Sequence, residues 1–179
     1  MSADTPPPRI LEARAKLSSH FSDFKDEKYG EGWSALWEKG DYLPWDKGFP
    51  SPALIDTLAQ RRDLLGLALL SDGKRKKALV PGCGRGVDVL LLASFGYDAY
   101  GLEYSEKAVE QCKKLLKEHG DDEMYRVKDQ QVGKGDVVFV RGDFYGDGFL
   151  EDMGVREGKF DLIYDYTVRS FSACRTLTS

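Results

Sequence analysis

The sequence predicts an α/β fold built on a parallel sheet, and three observations carry that prediction. Strand and helix signals alternate at short period between residues 78 and 165. The first strand of the series runs directly into glycines at alternate positions, Gly82, Gly84 and Gly86. The next strand ends in an acid, Glu103, 19 positions beyond Gly84. Such alternation implies parallel strands joined by crossover helices.

Along the chain, Met1 to Arg9 is polar and carries Pro6-Pro7-Pro8, which neither propagates a helix nor pairs in a ladder, so a disordered arm is expected. From Ile10 to about Phe24, Ile10, Leu11, Ala13 and Leu17 recur at loose helical spacing. Residues 25–32 are charged and carry glycine, and read as a loop. Trp33 and Trp37 then share one helical face, closed by Gly40 and followed by Asp41-Tyr42-Leu43-Pro44-Trp45-Asp46. A helix is expected from about Pro52 to Leu70, with Leu54, Ile55, Leu58, Leu65 and Leu69 as its apolar face and Gly73 as its stop. After the basic run Lys74-Arg75-Lys76-Lys77, read as a solvated loop, come strand 78–81, helix 86–95, strand 98–103, helix 105–119, and strands 136–141 and 160–165.

Composition bounds the function. The 179 residues, 41% hydrophobic, suffice for one domain with a sizeable core. With 26 basic against 30 acidic residues and a net charge of −4, a nucleic-acid partner is not expected. Three cysteines, Cys83, Cys112 and Cys174, show no CxxC spacing, and only two histidines accompany them. That excludes a disulfide scaffold and a zinc finger. Nothing resembles a signal peptide or the roughly 18 apolar residues of a membrane span, so a cytoplasmic protein without a membrane partner is expected.

The chemistry is concentrated at the strand ends. Glycines after the first strand of an open parallel sheet let main chain approach a ligand with no side chain between. The spacing is not the dinucleotide fingerprint, because GxGxxG from Gly82 would need glycine where Val87 stands. A carboxylate at Glu103 can accept both hydroxyls of a ribose, so glycine loop and acid together point to an adenosine-containing cofactor. Asp143-Phe144-Tyr145 after the third strand either bonds the amino group of an adenine and covers its ring, or is a surface turn with Phe144 in the core. Tyr164-Asp165-Tyr166-Thr167 either faces the ligand mouth or packs as an aromatic strand end, and Trp33 and Trp37 either fill a core or cover a ligand. Cys83 stands where a small residue is needed, and Cys112 and His119 fall outside the expected site.

Taken together, Trp33-xxx-Trp37, Pro44-Trp45-Asp46-xx-Gly48, Ala78-Leu-Val-Pro-Gly-Cys-Gly-Arg-Gly86, Gly101-Leu-Glu103-Tyr-Ser105, Gly142-Asp143-Phe144-Tyr145 and Phe160-Asp-Leu-Ile-Tyr-Asp-Tyr-Thr167 resemble the thiopurine and thiol S-methyltransferase family. The likeness is strongest to its thiol and halide branch, and covers roughly residues 30–167.

The resemblance implies a Rossmann-like class I methyltransferase fold using S-adenosyl-L-methionine, with a small thiol, thiopurine or halide as acceptor. By the family pattern Gly82 and Gly84 line the methionine and ribose, Glu103 binds the ribose, and Asp143 and Phe144 frame the adenine. Trp33, Trp37 and Trp45 close over the cofactor and Tyr166 lies near the methyl donor. Aromatic faces stabilise a sulfonium by roughly 0.5–2 kcal/mol.

The implied organisation is a disordered arm and helix over 1–24, a Trp-rich cofactor lid over 25–50, a cofactor-binding core over 51–167 and an atypical tail over 168–179. The family sheet has seven strands in the order 3-2-1-4-5-7-6, whereas four are legible here. The expectation is therefore a parallel sheet truncated after its fourth strand, in a monomer whose exposed fourth-strand edge is where association would occur. Two readings follow from it: a methyltransferase, or a non-catalytic cofactor-binding remnant acting through a partner.

Overall fold

The computed structural model describes residues 7–25, 28–146, 148–155 and 160–166. Residues 1–6, Thr167 and the tail from Val168 lie outside them, while Pro8 and Arg9, expected in the disordered arm, open the first helix with Pro8 at its first position. The described strands form one parallel sheet in the order β3-β2-β1-β4, with β1 Lys77–Pro81, β2 Asp98–Glu103, β3 Val137–Arg141 and β4 Leu162–Ile163. This is the order that the resemblance implies for its first four strands.

The register follows from side-chain alternation. Ala78 and Val80 of β1 and Ala99 of β2 face one apolar cluster, while Leu79, Tyr100 and Leu102 face the other. The first cluster is covered by α5 Val87–Ser94 and by α3 Pro52–Gln60 through Leu54 and Leu58. Val89 to Ser94 are all buried, so α5 is the apolar hub on that face. The second cluster is completed by Met153 and Val155, just after α7 Phe149–Asp152. The amphipathic α6 Glu106–His119 starts at Ser105, whose hydroxyl accepts from the Ala108 amide at 3.3 Å, and buries Ala108, Val109 and Cys112.

The structure corrects the sequence reading in four places. The single helix expected over 52–70 breaks at Arg61: α3 ends at Gln60, α4 Arg62–Leu65 stops at Gly66, and a turn follows, closed by an antiparallel bridge between Leu69 and Arg75. The expected apolar residues still reach the core, since Ile55, Leu65 and Leu69 pack on the first cluster. Burial dictated the pattern without dictating the helix. The basic run is a solvated loop only at Lys74, because Arg75 donates to the carbonyls of Gly96 at 3.1 Å and Gly133 at 3.4 Å, and Lys76 donates to the Leu65 carbonyl at 2.8 Å. Lys77 opens β1.

The loop read over 25–32 gives way to a helix from Tyr29, since α2 spans Tyr29–Lys39, while α1 covers Pro8–His20. Glycine is a poor helix former, but a Cβ at Gly30 would meet the Tyr104 ring at 2.5 Å and one at Gly32 the Phe21 ring at 2.6 Å. Close approach, and not a break, explains these glycines. Lastly, the six residues expected in the fourth strand shorten to two, flanked by bonds from the Asp161 amide to the Lys77 carbonyl and from the Tyr164 amide to the Leu79 carbonyl, both 2.9 Å. Within the described residues β4 pairs only with β1, and Ile163 is 54% exposed.

Candidate functional site

The carboxyl ends of the strands meet at a buried carboxylate. β1 passes into Gly82–Gly86, a turn in which Gly84 and Gly86 adopt φ of +55° and +86°, a region that side-chain-bearing residues avoid. This turns the Gly84 amide toward β2, where it donates to Glu103 Oε2 at 2.9 Å, while the Ser105 amide donates to Oε1 at 3.1 Å. Glu103 is 6% exposed. Burial raises its pKa, against the amides of Ser105, Gly84 and Tyr104, which favour the charged form. Each oxygen keeps a lone-pair direction beyond the single main-chain bond named, so the carboxylate retains acceptor capacity.

Trp37, 5% exposed, lies over the glycine turn, its ring 3.4 Å from where a Cβ on Gly84 would stand. Trp45 meets both other indoles edge-on, with centroids 5.0 Å from Trp33 and 6.5 Å from Trp37. The three tryptophans therefore form one aromatic cap, extended by Phe21 at 4.6 Å from Trp33. Of the residues singled out in the sequence, Trp37, Gly84 and Glu103 come together directly, and Trp33 and Trp45 join them through ring contacts. Gly82 sits exposed at the start of the turn.

The other expected residues are placed less closely. Asp143 is exposed and accepts from the Tyr145 amide at 2.9 Å, closing its own turn. Phe144 is half-buried against the second apolar cluster, 6.2 Å from Phe149 between centroids. The core alternative thus describes part of its role. Their strand end is tied to the carboxylate's residue by the Gly142 amide, which donates to the Glu103 carbonyl at 3.0 Å. Tyr166 is 61% exposed, at the last described position of the fourth-strand end.

Several contacts escaped the sequence reading. The Arg85 guanidinium makes a forked ion pair with Asp46, its Nε lying 2.8 Å from Oδ2. Asp88, at the second position of α5, accepts from the Ser51 amide at 2.7 Å, and burial raises its pKa. Cys112, expected outside the site, lies beneath it, donating to the Gly84 carbonyl at 2.9 Å, with its sulfur 3.9 Å from that of Cys83. The thiol of Cys83 is pushed well up, by its bond to Cys112 and then by burial. Alkylation of Cys83 in the folded protein at pH 8 is accordingly expected to be far slower than that of a free thiol, as timed by iodoacetamide labelling and peptide mass spectrometry. The described residues contain no cluster of three metal-ligating side chains and no helix long and apolar enough to cross a membrane.

Comparison with known proteins extends the geometry. Residues 29–170 match the family model described as thiopurine S-methyltransferase. A probable thiol methyltransferase 2 from Arabidopsis thaliana is 32% identical over 147 residues, which is 82% of this chain and 52% of that protein. Thiocyanate methyltransferase 1 from Brassica oleracea is 32% identical over 137 residues, 76% of this chain and 47% of its own length. A thiopurine S-methyltransferase from Pseudomonas fluorescens is 30% identical over 119 residues, 63% of this chain and 46% of the relative. A solved structure described as "Conversion of a Disulfide Bond into a Thioacetal Group during Echinomycin Biosynthesis" superposes with a TM-score of 0.52 at 25% identity, covering 78% of this chain and 47% of that one. The chain spans about half the length of the curated relatives it matches.

Proposed function

The chain belongs to the thiopurine S-methyltransferase family, and from that membership we propose that it binds S-adenosyl-L-methionine across the ends of β1 and β2 and methylates a small thiol. The observation that carries this reading is the buried Glu103 carboxylate, oriented by two main-chain amides beneath an aromatic cap. A carboxylate with unfilled acceptor directions suits a pair of ribose hydroxyls, and indole faces suit a sulfonium. Gly82 and Gly84 would carry the methionine and ribose, and Asp143 and Phe144 the adenine. Trp33, Trp37 and Trp45 would cover the donor, with Tyr166 near the methyl group.

When bound, this cofactor supplies an electrophilic methyl carbon on a positively charged sulfur, which is left as a neutral thioether. The chain's own task is alignment. Glu103 and the glycine turn would fix the ligand, and the tryptophan cap lying over that turn would exclude water. An acceptor thiol, of ordinary pKa about 8.5, loses its proton to solvent before its sulfur lone pair forms the new S–C bond. The relatives are named for thiol, thiocyanate and thiopurine acceptors, which share a sulfur nucleophile. On this basis sulfur is the preferred atom, with halide as the competing acceptor; the cytosolic location and monomeric state expected from the sequence stand as part of the proposal.

A second reading, cofactor binding without turnover, is favoured by β4, which has one sheet neighbour among the described residues and leaves Ile163 exposed. In that case the β4 edge is where a partner adds. Calorimetry with S-adenosylhomocysteine followed by a labelled-methyl assay with small thiols and iodide decides between them. One-to-one binding with a methyl thioether as product supports the enzyme, and binding without product supports the second reading. A folded sample giving no heat overturns both.

A further inference from the structure

We propose that Asp46 and Asp88 are positioning residues that latch the Trp45-bearing segment onto the glycine turn at two points, so that the aromatic cap is held shut by carboxylates belonging to opposite partners. This rests on the cofactor reading only for its effect on affinity.

The segment between α2 and α3 contains no strand or helix from Gly40 to Ser51. Its own main-chain bonding is local, as in the Asp46 amide donating to the Leu43 carbonyl at 3.0 Å. A stretch of this kind does not hold an indole in place by itself. Two long-range contacts supply what it lacks. The Asp46 carboxylate, next to Trp45, pairs with Arg85 inside the glycine turn, and the Ser51 amide, five residues on, bonds to Asp88. Arg85 and Asp88 bracket Gly86 and Val87, immediately before the buried run of α5 from Val89. One pair thus has its carboxylate on the segment and the other on the helix, and both are anchored at the start of α5, whose residues from Val89 to Ser94 are all buried. Trp45 passes this constraint to Trp37, which rests on Gly84.

Two bonds spanning so short a segment raise each other's effective concentration, so breaking either one weakens the other. All three tryptophans of the chain lie in this cap, and tryptophan emission, excited selectively over the nine tyrosines, therefore reports on it. In the full chain, Asp46→Ala and Asp88→Ala are each expected to shift tryptophan emission to the red while far-ultraviolet circular dichroism stays native. Each is also expected to weaken S-adenosylhomocysteine binding about tenfold, with the double variant little worse than either single one. Asp88→Asn, whose amide oxygen still accepts from Ser51, retains native emission and affinity.

Unchanged emission in both alanine variants overturns the latch, as do effects on affinity that simply multiply. If either alanine variant fails to fold, Asp46→Asn and Asp88→Asn decide instead: a red shift in Asp46→Asn but not in Asp88→Asn upholds the latch, and any other pattern rejects it. Failure of the unmodified protein to bind S-adenosylhomocysteine would overturn the cofactor reading, while the emission comparison still decides the latch.

Discussion

Replacing Glu103 by alanine is expected to lower affinity for S-adenosylhomocysteine by at least about a hundredfold, measured by calorimetry on a sample shown to be folded. Hydrogen bonds to a charged acceptor contribute roughly 1.5–3 kcal/mol each, and 1.4 kcal/mol is a factor of ten, so loss of two ribose contacts alone reaches that range. Glu103→Gln is not a mild substitute. The main-chain amides bonded to the carboxylate oxygens, those of Gly84 and Ser105 among them, are donors, and an amide side chain would turn its own NH2 group toward one of them.

The pH dependence separates binding from stability. Burial raises the Glu103 pKa above its ordinary 4.5. Ribose hydroxyls favour the charged carboxylate, so the pKa falls on binding, and affinity should decline as pH drops through the raised free-state value. For folding the sign is opposite. A folded-state pKa above the unfolded one means that the stabilising contribution of this group is complete below the unfolded value and is lost as pH rises through the folded one. Ionisation of Glu103 thus subtracts from stability as pH rises toward neutral. Unfolding of Glu103→Ala should therefore be less sensitive to pH above 4.5 than that of the unmodified protein.

Gly86→Ala is expected to destabilise the protein by about 2–5 kcal/mol, lowering the melting temperature by roughly 10 °C. Gly86 has φ of +86°, and a Cβ there would stand 2.7 Å from the Phe139 ring and 3.2 Å from the Cys112 sulfur. The left-handed conformation and the overlap add, because the ring belongs to β3 and the sulfur to α6, neither of which can retreat from a packed face. Gly48→Ala is the control. It has φ of +72° but nothing within 4 Å of the added carbon, so it carries the backbone cost alone, about 1–2 kcal/mol. Thermal and denaturant melts of both variants test the difference.

What the sequence disclosed was whatever local spacing encodes. The run from β1 through α5 and β2 to α6 was readable because the glycine turn and the alternation of strand and helix signals are properties of neighbours in the chain. Tertiary contacts were not readable in this way. Arg85 to Asp46 and Asp88 to Ser51 join residues 39 and 37 positions apart, and no pattern within one segment announces them. The helix expected over 52–70 illustrates the complementary failure. Leu65 and Leu69 have helical spacing because they cover the same core, and a break at Arg61 with a turn at Gly66 delivers them there equally well. Gly30 and Gly32 were misread for a related reason, since the rings that demand small residues at those positions lie in Tyr104 and Phe21.

The opposite rim of the sheet has a different character. Arg75 reaches from the start of β1 to the carbonyls of Gly96 and Gly133, which precede β2 and β3, and its Nε lies 3.9 Å from Asp98. One guanidinium thereby ties three successive βα units together at the end remote from Glu103. The molecule divides along the strand axis, with architecture secured at the amino ends and the proposed site at the carboxyl ends. On the proposed reading, loops at the mouth can diverge in sequence, and with them the choice of acceptor, without reopening the question of how the strands are assembled.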